Sequence, residues 1–205
     1  MTLMGRVIFM CGPAGSGKST VARRYEQQGM ARLSFDQEAW SRGITTMPLP
    51  QDVRRDIERA LRGRLVDLVR AGSDVVLDFS FWSRDMRDEY RELLRPLGVV
   101  PETVYLATDR ATVLQRIGAR VARDGDDFKI STELAAFYFD HFEAPTALEG
   151  HLTVIEAASG EPRPNRRRRL SWAGLRTVSD KSIVLKTILL RSTGRRVAWS
   201  HDRKA

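Results

Sequence analysis

Nine consecutive residues near the start of the chain, Gly12-Pro13-Ala14-Gly15-Ser16-Gly17-Lys18-Ser19-Thr20, place three glycines, a lysine and three hydroxyls in the spacing G-x-x-x-x-G-K-[ST]. Glycines let a backbone curl until its N–H groups point inward, which makes a concave anion site. A helix beginning just after the last glycine adds the partial positive charge of its first turn. Phosphate binding is the chemistry that follows. Lys18 is expected to reach the β- and γ-phosphates, and the Ser19 hydroxyl to ligate Mg²⁺. A glycine-rich turn that binds nothing is the bland alternative; the apolar strand before the loop and the helical pattern after it argue for a nucleoside triphosphate and its magnesium ion.

Two carboxylates and three arginines bear on what the nucleotide is used for. Asp36 closes a predicted strand, Leu33-Ser-Phe-Asp36, and strand C-terminal ends line the ligand crevice of an open parallel sheet. It is the candidate general base for an incoming hydroxyl, with helix capping as the other reading. Asp78 closes Val75-Val-Leu-Asp78 and is the candidate for holding a magnesium-bound water. Phe79, not a glutamate, follows it, so the water-polarising base of a motor ATPase is missing. The sole asparagine, Asn165, excludes the Asn-Lys-x-Asp guanine-reading motif. Arg116, Arg120 and Arg123 recur at i, i+4 and i+7, so one helix face would carry three guanidiniums: a lid over phosphates, or a solvated basic face. The acidic stretch Asp124-Gly-Asp-Asp127 after them suits a lid tip. Trp40, Arg42, Phe81, Trp82, Arg84 and Arg87 follow the second and third strands and are candidates for the acceptor pocket, although large aromatics more often fill a core.

The elements that must position these residues read as α/β. Strands are expected at Val7–Cys11, Ala31–Phe35, Val75–Phe79, Thr103–Ala107 and Leu152–Ile155, nearly continuous in apolar residues as strands buried on both faces are. Helices are expected at Gly17–Gln28, Asp52–Arg70, Ser83–Leu94, Ala111–Ala122 and Thr132–Phe142, with Ser83, Asp109 and Ser131 as N-caps and Gly29 and Gly72 as stops. In the second of these, Val53, Ile57, Leu61, Leu65 and Leu68 form the face that packs on the sheet.

Charge divides the chain. Residues 1–160 carry 21 Lys and Arg against 23 Asp and Glu, whereas residues 161–205 carry 13 against 3. The formal net charge of +8 therefore describes a basic C-terminal extension, opened by the linker-like run Glu161-Pro-Arg-Pro-Asn-Arg-Arg-Arg-Arg169. The domain expectation is 1–160 for the catalytic unit, with a lid at about residues 116–130, and 161–205 for the extension, which offers nucleic acid an electrostatic contact. Cys11, the only cysteine, permits no intrachain disulfide, and three histidines make no zinc-finger cluster. No apolar run approaches the roughly 20 residues that span a bilayer, and a cytoplasmic protein is expected.

The set GPAGSGKST, the Asp in LSFDQEAW, the run DVVLDFSFWSRDMRDEYRELL, the arginine pair in VLQRIGAR and the stretch FKISTELAAFYFDHFEAP resembles the P-loop kinases grouped with the polynucleotide-kinase 5′-kinase domain, zeta toxins and chloramphenicol phosphotransferase. The resemblance covers about residues 5–157. It implies a three-layer P-loop NTPase fold with five parallel strands, ATP-dependent phosphoryl transfer to a hydroxyl, Asp36 as general base, and Arg116 and Arg120 as lid arginines. Polynucleotide 5′-kinases of this type have an arginine three residues after the base, where this chain has Ala39. The expected acceptor is accordingly a small hydroxylated molecule (metabolite, nucleoside-like compound or antibiotic). The alternatives are an oligonucleotide 5′-hydroxyl and a nucleotide-regulated nucleic-acid-binding ATPase.

Overall fold

The computed structural model describes residues 5–44, 49–119, 128 and 130–156. Five strands, β1 (Val7–Cys11), β2 (Ala31–Ser34), β3 (Val75–Asp78), β4 (Glu102–Ala107) and β5 (Leu152–Glu156), form one parallel sheet in the order β2-β3-β1-β4-β5. Among the described residues six α-helices connect or flank them: α1 (Lys18–Gln27), α2 (Phe35–Ser41), α3 (Gln51–Arg70), α4 (Arg84–Leu94), α5 (Arg110–Gly118) and α6 (Thr132–Asp140). Short 3-10 turns occupy Arg95–Leu97 and Ala147–Glu149.

β1 lies at the centre and is buried along its whole length, which explains its unbroken apolar sequence. Its side chains alternate between two cores. Val7, Phe9 and Cys11 join Leu33 and Leu77 beneath α3 and α4, while Ile8 and Met10 join Val76, Val104 and Leu106 beneath Ala22 and Tyr25 of α1. From α3 the residues Ile57, Leu61, Leu65 and Val69 are fully covered, each worth about 1.5–3 kcal/mol of apolar burial. This is the face the i, i+4 spacing predicted, extended by Val69; Val53 and Leu68 are half-buried beside it.

Helix boundaries follow the chemistry of their ends. Ser83, Asp109 and Ser131 accept from the backbone N–H groups of Met86, Thr112 and Leu134, as expected of N-caps. Gly29 and Gly72 follow the ends of α1 and α3. One helix is new. β2 stops at Ser34, whose hydroxyl caps α2, so Phe35 and Asp36 belong to a helix and not to the end of a strand. Among the described residues α5 runs to Gly118, with Ala119 as its C-cap, and carries Arg116. Arg120, Arg123 and the run 124–127 lie outside the described residues, as does the extension 161–205. Among the described residues no helix is long and apolar enough to cross a membrane.

Candidate active site

The chain runs from β1 first to β2 and β3 on one side and then to β4 and β5 on the other, so the sheet reverses direction at the C-terminal end of β1. Open α/β sheets bind ligands at such a switch point. Gly12–Gly17 occupies it.

The loop's geometry needs its glycines. Gly12 has φ +147°, and a Cβ there would meet the Ser16 hydroxyl at 2.8 Å and the Leu106 carbonyl at 3.2 Å. At Gly15, φ +81°, a Cβ would press on Ile117 at 3.1 Å. The Gly12 N–H donates to the Ser80 carbonyl at 3.1 Å, fastening the loop to the segment after β3. Lys18 Nζ donates to the Pro13 carbonyl at 2.9 Å, so the lysine folds back over the loop.

Two observations fit this cradle to phosphate. The first turn of α1 has neither a side-chain cap nor an acidic residue, unlike α2, α4, α5 and α6, each capped by a serine or aspartate side chain. The Ser16 hydroxyl is buried with no hydrogen-bond partner among the described residues. A buried polar group in that state costs about 1–3 kcal/mol, which an oxyanion in the loop would remove.

Ser19 and Asp78, the expected metal pair, are together: Ser19 Oγ donates to Asp78 Oδ1 at 3.3 Å. The other carboxylate oxygen, Oδ2, accepts from Arg32 Nε at 3.0 Å and Nη2 at 2.7 Å. Sequence reading did not single out Arg32. The available signal was a charged residue inside a strand expected to be buried, since buried guanidiniums are nearly always paired. A hydroxyl and a carboxylate at contact distance, next to a phosphate cradle, are oxygen donors suited to Mg²⁺. Among the described residues no larger cluster of His, Cys, Asp and Glu gathers at metal-binding distances.

Asp36 sits half-buried in the first turn of α2, directly beyond the C-terminal end of β2. The capping role that competed for it is filled by Ser34. Asp78 is not a cap either, because Ser83 serves α4. Arg116 is on the last turn of α5, exposed, and its Nη1 donates to the Ser16 carbonyl at 3.3 Å, which brings it over the loop. Thr108 Oγ1 reaches the same carbonyl at 3.5 Å. Between them and α1 opens a cleft of about 370 Å³, lined by Gly15, Thr20, Val21, Leu106, Arg116 and Ile155 among others. Apolar Val21, Leu106 and Ile155 beside a guanidinium make a surface on which a flat heteroaromatic ring fits. Val21, Leu106 and Ile155 read in sequence only as element interior.

The acceptor-side candidates separate. Phe81 is fully buried, stacked on Phe9 at 4.3 Å between ring centres, and belongs to the core. Arg87 is fully buried too, forked onto Glu149 and donating to the Phe81 and Glu143 carbonyls, so it braces the scaffold and does not meet an acceptor. Phe81 has φ +43°, a left-handed conformation that a bulky residue rarely adopts. Its carbonyl also accepts from the Cys11 thiol, whose pKa burial pushes up to about 11, leaving an unreactive group. Arg42, the C-cap residue of α2, spends its fork on Glu38. Arg84 is exposed and lies 3.4 Å from Asp88. Trp82 is exposed, and Trp40 is half-buried with its ring edge toward Phe128, 6.5 Å between centres.

Residues 7–145 match the AAA domain family. The chain belongs to this family. Its fold is that of P-loop kinases. It is similar to a sugar kinase from Janibacter sp., at 19% identity over 74% of this chain and 85% of the other, with TM-score 0.56. A gluconokinase from Sinorhizobium meliloti is similar at 24% identity over 78% and 86%, with TM-score 0.53. A chain of the Pnkp1/Rnl/Hen1 RNA repair complex shares the fold at 14% identity and TM-score 0.57, over 69% of this chain and 46% of that one. No curated protein sequence matches this member of the family at a significant level.

Proposed function

We propose that the chain is an ATP- and Mg²⁺-dependent phosphotransferase that moves a γ-phosphate to a hydroxyl of a small molecule. The observation that carries this reading is Asp36. It is a carboxylate without a capping duty, at the same sheet edge as the phosphate loop and next to the strand that ends in Asp78.

In this reading the backbone N–H groups of the loop and Lys18 bind and orient the phosphates, as a pre-organised cradle does at little cost of reorganisation. Ser19 and Asp78 would hold Mg²⁺. The metal supplies charge neutralisation of the phosphates when bound. Asp36 orients the acceptor hydroxyl and takes its proton, and Arg116 balances charge over the loop. Arg120 and Arg123 complete the lid at about residues 116–130, and the cleft beside Val21 and Ile155 takes the nucleobase.

A small acceptor is favoured over an oligonucleotide by Ala39, which is fully buried in the core under α2 and leaves no room for a phosphate-gripping arginine. Arg42, one turn on, is already forked onto Glu38. Trp40, Trp82 and Arg84 remain the side chains proposed to meet the acceptor. The sugar kinase and gluconokinase likenesses support a hydroxylated acceptor of this kind. Residues 1–160 are proposed as the kinase domain of a cytoplasmic protein, with 161–205 as a basic extension.

Asp36→Asn tests the base. Isothermal titration should show ATP binding retained, while turnover falls by about two to four orders of magnitude. Wild-type turnover in that variant would remove Asp36 from the mechanism.

A further inference from the structure

Arg32 is a cation on an edge strand, with Ala31 and Leu33 as its neighbours in sequence, yet its side chain is almost wholly buried. Register places Ser34 opposite Asp78 and Arg32 opposite Val76, so Arg32 sits one pleat upstream of Asp78 on the same face of the sheet. That face is covered by α1, whose Glu26 lies 3.9 Å from Arg32 Nη1.

The fork is asymmetric. Both Nε and Nη2 contact one oxygen of Asp78, Oδ2, while Oδ1 is turned to the Ser19 hydroxyl. A carboxylate held through a single oxygen by two donors has its plane and torsion fixed, and its second oxygen remains directed at Ser19. A pair needed for stability alone would be served as well by apolar residues of similar volume. Burying a guanidinium here has a purpose if the orientation of Asp78 matters.

We propose that Arg32 is a positioning residue for the metal: it holds Asp78 so that Oδ1, together with Ser19 Oγ, presents a preformed pair of oxygens to the nucleotide-bound Mg²⁺. This rests on the reading of Ser19 and Asp78 as the metal pair. Partners that orient a metal ligand from behind change metal affinity by about 10–100-fold when altered.

The test uses Mn²⁺ as a spectroscopic probe, titrated by electron paramagnetic resonance into the full chain with a non-hydrolysable ATP analogue. Arg32→Lys keeps the charge and loses the planar fork. Its Mn²⁺ affinity is expected to fall by about 10–100-fold, with binding of the metal-free analogue unchanged. In an Asp78→Asn background, adding Arg32→Lys should cause no further loss. Should the lysine variant not fold, Arg32→Gln is titrated instead, with a fall again expected. Wild-type Mn²⁺ affinity in the arginine variant, with Asp78→Asn weakened, overturns the role of Arg32 and leaves the metal pair standing. An equal loss in the Asp78→Asn background overturns it as well, because Arg32 would then act through another group. Unchanged affinity in Asp78→Asn alone would remove the metal pair, and the proposal with it.

Discussion

Two buried guanidinium–carboxylate pairs, Arg87 with Glu149 and Arg32 with Asp78, are alike in almost everything except what the carboxylate does with its second oxygen. Side-chain exposure is 1% and 3% in the first pair and 3% and 2% in the second. Glu149 is closed. Its Oε1 accepts from Arg87 and from the Thr146 backbone, and its Oε2 from Arg87 and Arg91. Asp78 is open, with Arg32 on one oxygen and a hydroxyl of the phosphate-loop helix on the other. Burial and pairing alone therefore do not separate scaffold from site. The distinction lies in whether a lone-pair direction remains aimed at the crevice.

The largest expected effect tests the closed pair. Arg87→Met strips the guanidinium fork from buried Glu149, leaving it the Thr146 N–H and the longer Arg91 contact at 3.4 Å, and should cost about 3–5 kcal/mol. For a domain of this size that lowers the melting temperature by on the order of 10 °C. Arg87→Met with Glu149→Leu should recover most of the loss, since apolar replacement of a whole buried pair is often neutral. Metal affinity in the double variant should match wild type, the reverse of the split expected for Arg32. A double variant that stays folded but loses metal binding would break the comparison.

A smaller effect is expected with pH. Burial alone would raise the Glu149 pKa, but hydrogen bonds from Arg87 and the Thr146 backbone outweigh it and hold the carboxyl below its ordinary value. A depressed folded pKa means that the unfolded chain takes up the proton first. The stabilisation is thus complete above the unfolded value of about 4.3 and is lost as pH falls from there through the folded value. Melting curves between neutral and acid pH should show a steeper acid loss in wild type than in the Arg87→Met, Glu149→Leu variant. Parallel curves would mean that Glu149 gains nothing from its partner.

What sequence disclosed and what it concealed divide along the same physical line. Strands buried on both faces leave unbroken apolar runs, so β1 was legible to the residue and the others to within one. Caps are local chemistry, and Ser83, Asp109 and Ser131 were readable for that reason. α2 was missed although Ser34-Phe-Asp-Gln37 spells a capping pattern, because its seven residues begin where β2 ends and the apolar Phe35 reads as strand. Arg87 and Arg32 were misjudged or overlooked because their partners lie 62 and 46 residues away. Only the fold brings those carboxylates in. Glycine spacing made the phosphate loop legible, whereas the cleft beside Val21 and Ile155 needs two strands and a helix to exist.

Transfer of the γ-phosphate to a small-molecule hydroxyl is the central claim, and it is tested most directly by following labelled γ-phosphate from ATP, with Mg²⁺, across a panel of sugars, nucleosides, hydroxylated antibiotics and 5′-hydroxyl oligonucleotides, with Lys18→Ala as the blank. The label is predicted to appear on a small-molecule hydroxyl with the wild-type chain and on none with Lys18→Ala. Label released only as inorganic phosphate, or carried only by the oligonucleotides, would contradict it.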